Sequence, residues 1–282
     1  MSSHSTHNHS KEASNLYKTF GESARLFQPP LTPFNGSVRL LISGGSESGK
    51  STLWKDLFKH GLFGAIKYRQ IIYCNPYISA QPMNGKTQKY LESLREAVAP
   101  AQLLLYDYIP TVPELLTMAR ALEGTEDRIQ ICLDDFGSAI FNSPSVHFLY
   151  TRGSNHDALD VVGILQNLYA ANTLYYMDCR RSLSHYLIMD NAQDRALVSQ
   201  LNRMIFPHQN HLPRCMKMAR FLMQNERPYI LIICCPQNPL ADNFQCVTNL
   251  IPNPKLPPPL REGSIWLPNP IQDLTDIHTY FS

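Results

Sequence analysis

The chain has 282 residues, of which 44% are hydrophobic, and this is long enough for one large α/β domain with flanking tails. Its 25 basic and 23 acidic residues give a formal net charge of +2, a balance that neither indicates nor excludes a nucleic-acid partner. The seven cysteines contain no metal-type C-x-x-C pair and no apolar run approaches membrane-spanning length, so we expect an intracellular protein without a membrane span.

The order of apolar runs predicts alternating strands and helices. Strands are predicted over residues 38–43, 71–74, 103–106, 129–133, 161–165, 183–189 and 229–235. Helices are predicted over residues 52–60, 89–97, 113–122, 192–205 and 212–223. Short buried strands separated by helices are typical of an α/β fold, in which a mainly parallel sheet has helices on both faces.

The two ends of the chain differ in composition from this core. Residues 1–36 begin as a polar segment and continue through proline and Asn-Gly breakers, which predicts a disordered or extended N-terminal arm. Residues 251–282 are rich in proline and are predicted to form an extended C-terminal tail, loosely attached and able to bind a partner. The folded domain is therefore expected over residues 37–250.

Residues 44–51 read GGSESGKS and fit the phosphate-binding loop G-x-x-x-x-G-K-[ST] between a predicted strand and a predicted helix. Glycines let backbone N–H groups converge on a triphosphate, and the helix N-terminus adds partial positive charge. Lys50 is expected to reach the β- and γ-phosphates, and Ser51 is expected to hold Mg²⁺ beside bound ATP. The predicted nucleotide-binding residues are Gly44, Gly45, Ser46, Glu47, Ser48, Gly49, Lys50, Ser51 and Thr52.

Two acids close the predicted strand over residues 129–133, as in a Walker B segment. A carboxylate at the carboxyl end of a buried strand can reach a cation beside a P-loop. We assign Asp134 to Mg²⁺ through water and Asp135 to the general base that activates the attacking water.

Four further residues complete the predicted site. Gln166 ends the next strand, where an amide can touch the γ-phosphate or orient water. Arg152 precedes that strand, and Arg180 and Arg181 precede the following one. Any of these arginines is a candidate to reach the γ-phosphate of a neighbouring subunit.

The segments GGSESGKST, IQICLDDFGS, YTRGSNHDALDVVGILQNLY and RRSLSHYLIM, in this order, resemble one family. It is that of the genome-packaging ATPases of nucleocytoplasmic large DNA viruses, virophages and Polinton-type elements, within the HerA–FtsK superfamily. The resemblance covers about residues 40–190. Its most specific part is the TRG-x-x-H stretch followed by a strand that ends in glutamine. The family's helix-side glutamine matches Gln166, and its strand-leading arginine matches Arg180 or Arg181.

The resemblance implies a P-loop NTPase that forms a homo-oligomeric ring and translocates double-stranded DNA into a preformed capsid. It also implies capsid or portal-vertex proteins as partners, in the host nucleus or cytoplasm or in the virion. Two positions depart from the family pattern. Many ATPases carry glutamate where this chain has Asp135, and family members often show a second histidine where it has Asn155.

Three other functions fit parts of the sequence. Residues 134–137 match the D-x-x-G pattern of GTPases, although no N-K-x-D guanine-reading motif follows. A nucleotide or nucleoside kinase would place Arg180 and Arg181 in a lid over the transferred phosphate. An ATP-binding assembly protein that barely hydrolyses ATP would explain the shorter acid at Asp135.

Overall fold

The computed structural model describes residues 33–34, 36–79, 85–166, 173–190, 195–205, 212–213, 215–216, 219–220, 228–234, 245–248, 250–251 and 265–267. Within these residues, nine strands form a single sheet. The strands are β1 (Arg39–Ser43), β2 (Tyr68–Cys74), β3 (Gln102–Tyr106), β4 (Arg128–Asp134), β5 (Leu159–Leu165), β6 (His185–Met189), β7 (Tyr229–Ile233), β8 (Gln245–Thr248) and β9 (Ile265–Leu267).

The strand order across the sheet is β3-β2-β4-β5-β1-β6-β7-β8-β9. Strands β1 to β6 are mutually parallel, whereas β7, β8 and β9 pair antiparallel to their neighbours. This confirms the predicted mainly parallel sheet. Because β4, β5 and β1 are adjacent and parallel, their carboxyl ends lie side by side at one edge, which we call the carboxyl edge. The opposite edge, where these strands begin, is called the amino edge.

Helical segments connect the strands. They are α1 (Lys50–Lys59), α2 (Gly85–Val98), α3 (Val112–Arg120), a 3-10 turn (Ser138–Asn142), α4 (Pro144–Phe148), a π-helical turn (Leu149–Gly153), α5 (Ser154–His156), α6 (Tyr176–Arg181) and α7 (Arg195–Ile205). Among the residues that the structure describes, no helix combines the length and apolar character that a membrane crossing requires.

The sheet buries apolar residues on both faces, as the alternation of side chains along each strand requires. In β1, Leu40 and Ile42 pack on one side with Trp54 of α1 and Leu94 of α2. Leu41 faces the other side, where the core includes residues of α3, α4, α6 and α7. The predicted arrangement of helices on both faces is therefore confirmed.

Phe34 extends the core into the segment that the sequence assigns to an N-terminal arm. It is fully buried, and its ring stacks on Phe63 with centroids 4.4 Å apart. The neighbouring Pro33 carbonyl oxygen contacts Nε2 of His185 at 3.0 Å. The chain therefore enters the folded core before residue 37, while residues 1–32 lie outside the described part.

A buried ion pair joins β4 to β5 at the amino edge. Asp160 is fully buried, and Arg128 Nη2 approaches its Oδ1 at 2.5 Å. The same carboxylate accepts hydrogen bonds from the Tyr68 hydroxyl at 2.8 Å, the Val38 N–H at 2.9 Å and the Ser154 hydroxyl at 3.2 Å. Burial raises the pKa of the Asp160 carboxyl, and Arg128 partly offsets that rise. The pair ties α5 and the segment before β1 to the sheet.

Three observed features differ from the sequence expectations. The TRG-containing stretch, expected only as a lead-in to a strand, forms the π-helical turn Leu149–Gly153 and then α5. Strand β8 was not predicted. Ile265–Leu267, inside the predicted loose tail, is extended but pairs with β8 as β9. Of the predicted helix over residues 212–223, the described residues are helical and the others lie outside the description.

Candidate functional site

The P-loop connects β1 to α1 in the predicted strand–loop–helix order. Gly49, the N-cap of α1, has φ 86°, a left-handed conformation that suits glycine. Glu47 is also left-handed, with φ 58°, and the Ser48 N–H bonds to the Gly45 carbonyl at 3.2 Å. The loop therefore curls back on itself at the N-terminus of a ten-residue helix, where backbone N–H groups and the helix dipole favour an anion.

Gly44 has a steric role in this loop. A Cβ built on it would lie 2.8 Å from Cβ of Met189 and 2.8 Å from the Ser48 hydroxyl oxygen. Met189 Cβ is fixed to the backbone of β6, so it cannot move aside as a long side chain would. Only glycine therefore lets the loop leave β1 so close to β6.

Lys50 lies across the P-loop and is 8% exposed. Its Nζ donates to the carbonyl oxygens of Gly44 at 2.9 Å and Gly45 at 2.7 Å. Charged phosphate oxygens are stronger acceptors than neutral carbonyls, so a triphosphate in the loop would compete for this ammonium group. Lys50 therefore lies against the backbone of the loop, and its contact with the β- and γ-phosphates stays a prediction.

Asp134 ends β4 directly beside the start of α1. It is 2% exposed, and the Ser51 hydroxyl donates to its Oδ2 at 2.6 Å. Burial raises the pKa of the Asp134 carboxyl, while the hydrogen bonds from Ser51 and Tyr73 and the charge of Lys50 oppose that rise. A hydroxyl and a carboxylate in contact are oxygen donors that suit a hard cation such as Mg²⁺, which also takes ligands from substrate phosphates. The paired prediction of Ser51 and Asp134 therefore fits a Mg²⁺ site.

Asp135 follows as an exposed residue with φ 62°, a conformation that turns the chain sharply out of the sheet. Asn75, at the carboxyl end of the neighbouring strand β2, approaches its Oδ2 through Nδ2 at 3.4 Å. The two consecutive acids therefore have different surroundings. Asp134 is buried and bonded to Ser51 of α1, and Asp135 is exposed to solvent.

Gln166 lies at the same edge as the two acids. It directly follows β5, which is placed between β4 and β1, and the Gly44 N–H bonds to the Leu165 carbonyl at 3.3 Å. Gln166 itself is exposed. The predicted juxtaposition of P-loop, acids and glutamine is therefore present, and the role of the amide remains a prediction.

The three candidate arginines lie at the amino edge. Arg180 and Arg181 end α6, just before Ser184, whose N–H bonds to the carbonyl of Arg39 at the start of β1. The guanidinium of Arg180 lies 5.6 Å from the Tyr176 ring centroid. Arg152 precedes β5 and pairs with Asp157, Nε to Oδ2, at 3.3 Å. One chain therefore does not bring its own P-loop and these arginines together.

Two tyrosines join the site without having been predicted from the sequence. The Tyr73 hydroxyl donates to Oδ2 of Asp134 at 2.7 Å, and the Tyr90 hydroxyl donates to the Ser51 carbonyl at 3.0 Å. Tyr73 belongs to β2, which adjoins β4 in the sheet, and Asn75 directly follows that strand. One sequence signal was available for this part of the site. A polar residue follows β2, just as polar residues follow its neighbours β3 and β4.

Comparison with known proteins gives structural neighbours only. No protein-family model and no curated protein sequence matches the chain. The genome packaging NTPase B204 from Sulfolobus turreted icosahedral virus 2, in complex with AMP, is similar at 13% identity and a TM-score of 0.41, over 71% of this chain and 93% of that one. The α/β fold with its mainly parallel sheet is shown by the strand pairing of this chain itself.

Two further structures have the same low level of similarity. B204 in complex with ATP-gammaS matches at 13% identity and a TM-score of 0.40, over 72% of this chain and 92% of that one. The KaiC-like protein PH0186 from Pyrococcus horikoshii OT3 matches at 10% identity and a TM-score of 0.37, over 83% and 91%. The function of this chain is inferred from its own residues.

Proposed function

We propose that this protein is a Mg²⁺-dependent ATPase whose subunits form a ring and translocate double-stranded DNA into a viral capsid. The observation that carries the ATPase part is the contact between Ser51 and Asp134 beside a P-loop that Lys50 crosses. Each of these groups has a place in phosphoryl transfer, with Lys50 for the β- and γ-phosphates and Ser51 and Asp134 for Mg²⁺. The cation, when bound, would neutralise charge that develops on the phosphates.

Within one subunit, the proposed work of hydrolysis falls to the carboxyl edge. Asp135 accepts a proton from the attacking water, and Gln166 orients that water or the γ-phosphate. Asp135 is exposed at the carboxyl edge beside the P-loop, which supports its assignment as the base, although its side chain is shorter than the glutamate found in many ATPases.

The ring is supported by the position of the arginines. Arg152, Arg180 and Arg181 lie at the edge opposite the P-loop, so a head-to-tail contact between copies would bring the amino edge of one against the carboxyl edge of the next. Such heterologous contacts close into rings when the rotation permits. DNA and capsid as partners rest on the sequence resemblance alone.

The test is the rate of ATP hydrolysis with and without double-stranded DNA, measured alongside the native mass. We expect a multimer whose ATPase rate rises with DNA and is lost in Lys50→Ala. A monomer whose ADP release is stimulated by a small phosphate acceptor and not by DNA would favour the kinase alternative. A multimer that binds ATP without turnover, with or without DNA, would favour the assembly-protein alternative.

A further inference from the structure

Two hydroxyl groups meet on one oxygen of the Asp134 carboxylate. Ser51 donates to Oδ2 at 2.6 Å and Tyr73 donates to the same Oδ2 at 2.7 Å. Ser51 approaches from α1, whereas Tyr73 approaches from β2, the strand that pairs with β4. A carboxylate oxygen has two lone pairs, and the two hydroxyls use both lone pairs of Oδ2. Neither of these hydroxyls bonds to Oδ1.

The Tyr73 ring cannot swing away easily. It is 4% exposed and lies nearly parallel to the Trp54 ring, with centroids 5.7 Å apart and an interplanar angle of 15°. The Trp54 indole is itself held, because its Nε1 donates to the Gln130 side chain at 2.9 Å. Tyr90 also packs on Tyr73, with 6.1 Å between the ring centroids. The Tyr73 hydroxyl is therefore a donor with a fixed position.

A fixed donor matters because a terminal carboxylate rotates readily about its last torsion. Ser51 alone would hold one oxygen but is also the group expected to contact Mg²⁺, so its position depends on the ligand. The Tyr73 hydroxyl is not expected to contact Mg²⁺, so its position does not depend on the ligand. Its hydrogen bond selects Oδ2 for the protein and leaves Oδ1 for the hydration shell of the cation.

We propose that Tyr73 is a positioning residue for the Mg²⁺ site, which fixes the rotation of the Asp134 carboxylate. This inference rests on the proposed Mg²⁺-dependent ATPase function. Groups that orient a metal-binding carboxylate from outside commonly change metal affinity about 10- to 100-fold when removed. Tyr73 therefore acts on the affinity for the cation and not on the affinity for the nucleotide itself.

The experiment compares Tyr73→Phe with Tyr150→Phe. Both changes remove one hydroxyl from a buried tyrosine, but the Tyr150 hydroxyl bonds to the Leu40 backbone carbonyl at 3.3 Å, on the face of the sheet opposite Tyr73. Mn²⁺ binding to each protein, saturated with a non-hydrolysable ATP analogue, is measured by electron paramagnetic resonance. Affinity for the analogue is measured separately in EDTA. Unfolding temperatures show whether each variant is folded.

We expect Tyr73→Phe to weaken Mn²⁺ binding about 10-fold, with analogue affinity in EDTA unchanged. Tyr150→Phe should leave both affinities at the wild-type value. Adding Tyr73→Phe to Asp134→Asn should cause no further loss of Mn²⁺ affinity, because the carboxylate that Tyr73 positions is already gone.

Equal Mn²⁺ affinities in Tyr73→Phe and Tyr150→Phe, with wild-type protein binding both analogue and Mn²⁺, would overturn the positioning role alone. A loss of about 10-fold from Tyr73→Phe in the Asp134→Asn background would also overturn it, because the effect would then bypass the carboxylate. Wild-type protein that binds neither analogue nor Mn²⁺ would overturn the proposed function instead.

Discussion

At the carboxyl edge of the sheet the candidate functional groups are side chains with oxygen atoms and one lysine. At the amino edge they are arginines. The carboxyl edge combines the P-loop, Asp134, Asp135 and Gln166. The amino edge presents the ends of the π-helical turn and of α6. A five-residue strand such as β1 is about 16 Å long, so a flexible arginine of the same chain cannot easily reach across.

The difference between the two edges suggests a division of labour between copies of the chain. Under the proposed function, the carboxyl edge holds the groups that bind and activate a nucleotide, and the amino edge holds arginines that the nucleotide of the same chain cannot reach. Under the proposed function each edge is half of a site. Four predictions test this comparison, from the largest expected effect to the smallest.

The first prediction concerns the arginines. Arg152, Arg180 and Arg181 are changed to alanine one at a time, and the one that acts in trans should lose about 10³-fold or more of the ATPase rate while ATP binding persists. Mixing that variant with Lys50→Ala should restore part of the activity, because one subunit supplies the intact P-loop and the other supplies the arginine. ATPase rates of pure and mixed samples measure this.

Arg95→Ala is the matched control, since Arg95 is an exposed arginine on α2, away from both edges' candidate groups. Its rate should stay at the wild-type value. A rate per subunit that is independent of protein concentration, and that mixing never restores, would show that the two edges work independently and that the chain acts as a monomer.

The second prediction separates the two acids at the carboxyl edge. Asp135→Asn should lower turnover about 10²- to 10⁴-fold and retain bound ATP, because the base is lost while the binding groups remain. Asp134→Asn should instead weaken Mg²⁺-dependent binding. Single-turnover hydrolysis and nucleotide-binding titrations distinguish the two. Asp107→Asn, an exposed acid after β3 at the same edge, should change neither. If Asp135→Asn hydrolyses ATP at the wild-type rate, a group other than Asp135 is the base.

The third prediction concerns the contribution of ion pairs at the amino edge to the stability of the fold. Asp160→Asn leaves Arg128 without its buried partner and should lower the free energy of unfolding by about 3–5 kcal/mol. Asp157→Asn removes only the pair with the exposed Arg152, so a loss within about 1 kcal/mol is expected. Urea denaturation measures both. Nucleotide affinity of the folded Asp160→Asn protein should match wild type. If the folded Asp160→Asn protein bound nucleotide more weakly than wild type, the two edges would be coupled.

The fourth prediction is a pH dependence that originates at the amino edge. Burial lowers the pKa of His185 from 6.5 to about 4. The folded-state pKa lies below the unfolded one, so the stabilisation is present above pH 6.5 and declines as the pH falls towards 4, by up to about 3 kcal/mol. Denaturation between about pH 7 and pH 4 should show a smaller decline in His185→Gln, compared as a difference from wild type.

The exposed His60 provides the control, because His60→Gln should keep the wild-type decline. An unchanged slope in His185→Gln would show that other groups carry the acid sensitivity. Nucleotide affinity per folded molecule should not follow this titration, since His185 lies at the edge away from the P-loop.

The sequence predicted the carboxyl edge well because its groups belong to local patterns. The P-loop is contiguous, and Asp134, Asp135 and Gln166 each close an apolar run, so parallel strands bring them together once the sheet forms. The edge position of the arginines was also predictable in principle. Residues that precede a parallel strand lie opposite those that follow one.

Tyr73 and Asn75 were not predictable in the same way. Their contacts with Asp134 and Asp135 depend on β2 being the neighbour of β4 and on the register that pairs Tyr73 with Cys132. No local pattern specifies which strand is adjacent or how two strands are aligned. Strand β2 also begins at Tyr68, earlier than its apolar run, because Tyr68 and Gln70 find polar partners in the sheet.

The pairing of Ile265–Leu267 with β8 has a practical consequence for anyone who shortens this protein. Cutting the chain at the predicted domain end, residue 250, would remove β9. Strand β8 would then be the outermost strand of the sheet, with one side unpaired. Exposed strand edges recruit other strands and promote aggregation. A shortened protein would then self-associate through its sheet, and its native mass would rise for a reason unrelated to a nucleotide-dependent ring. Mass measurements should therefore use the full 282-residue chain.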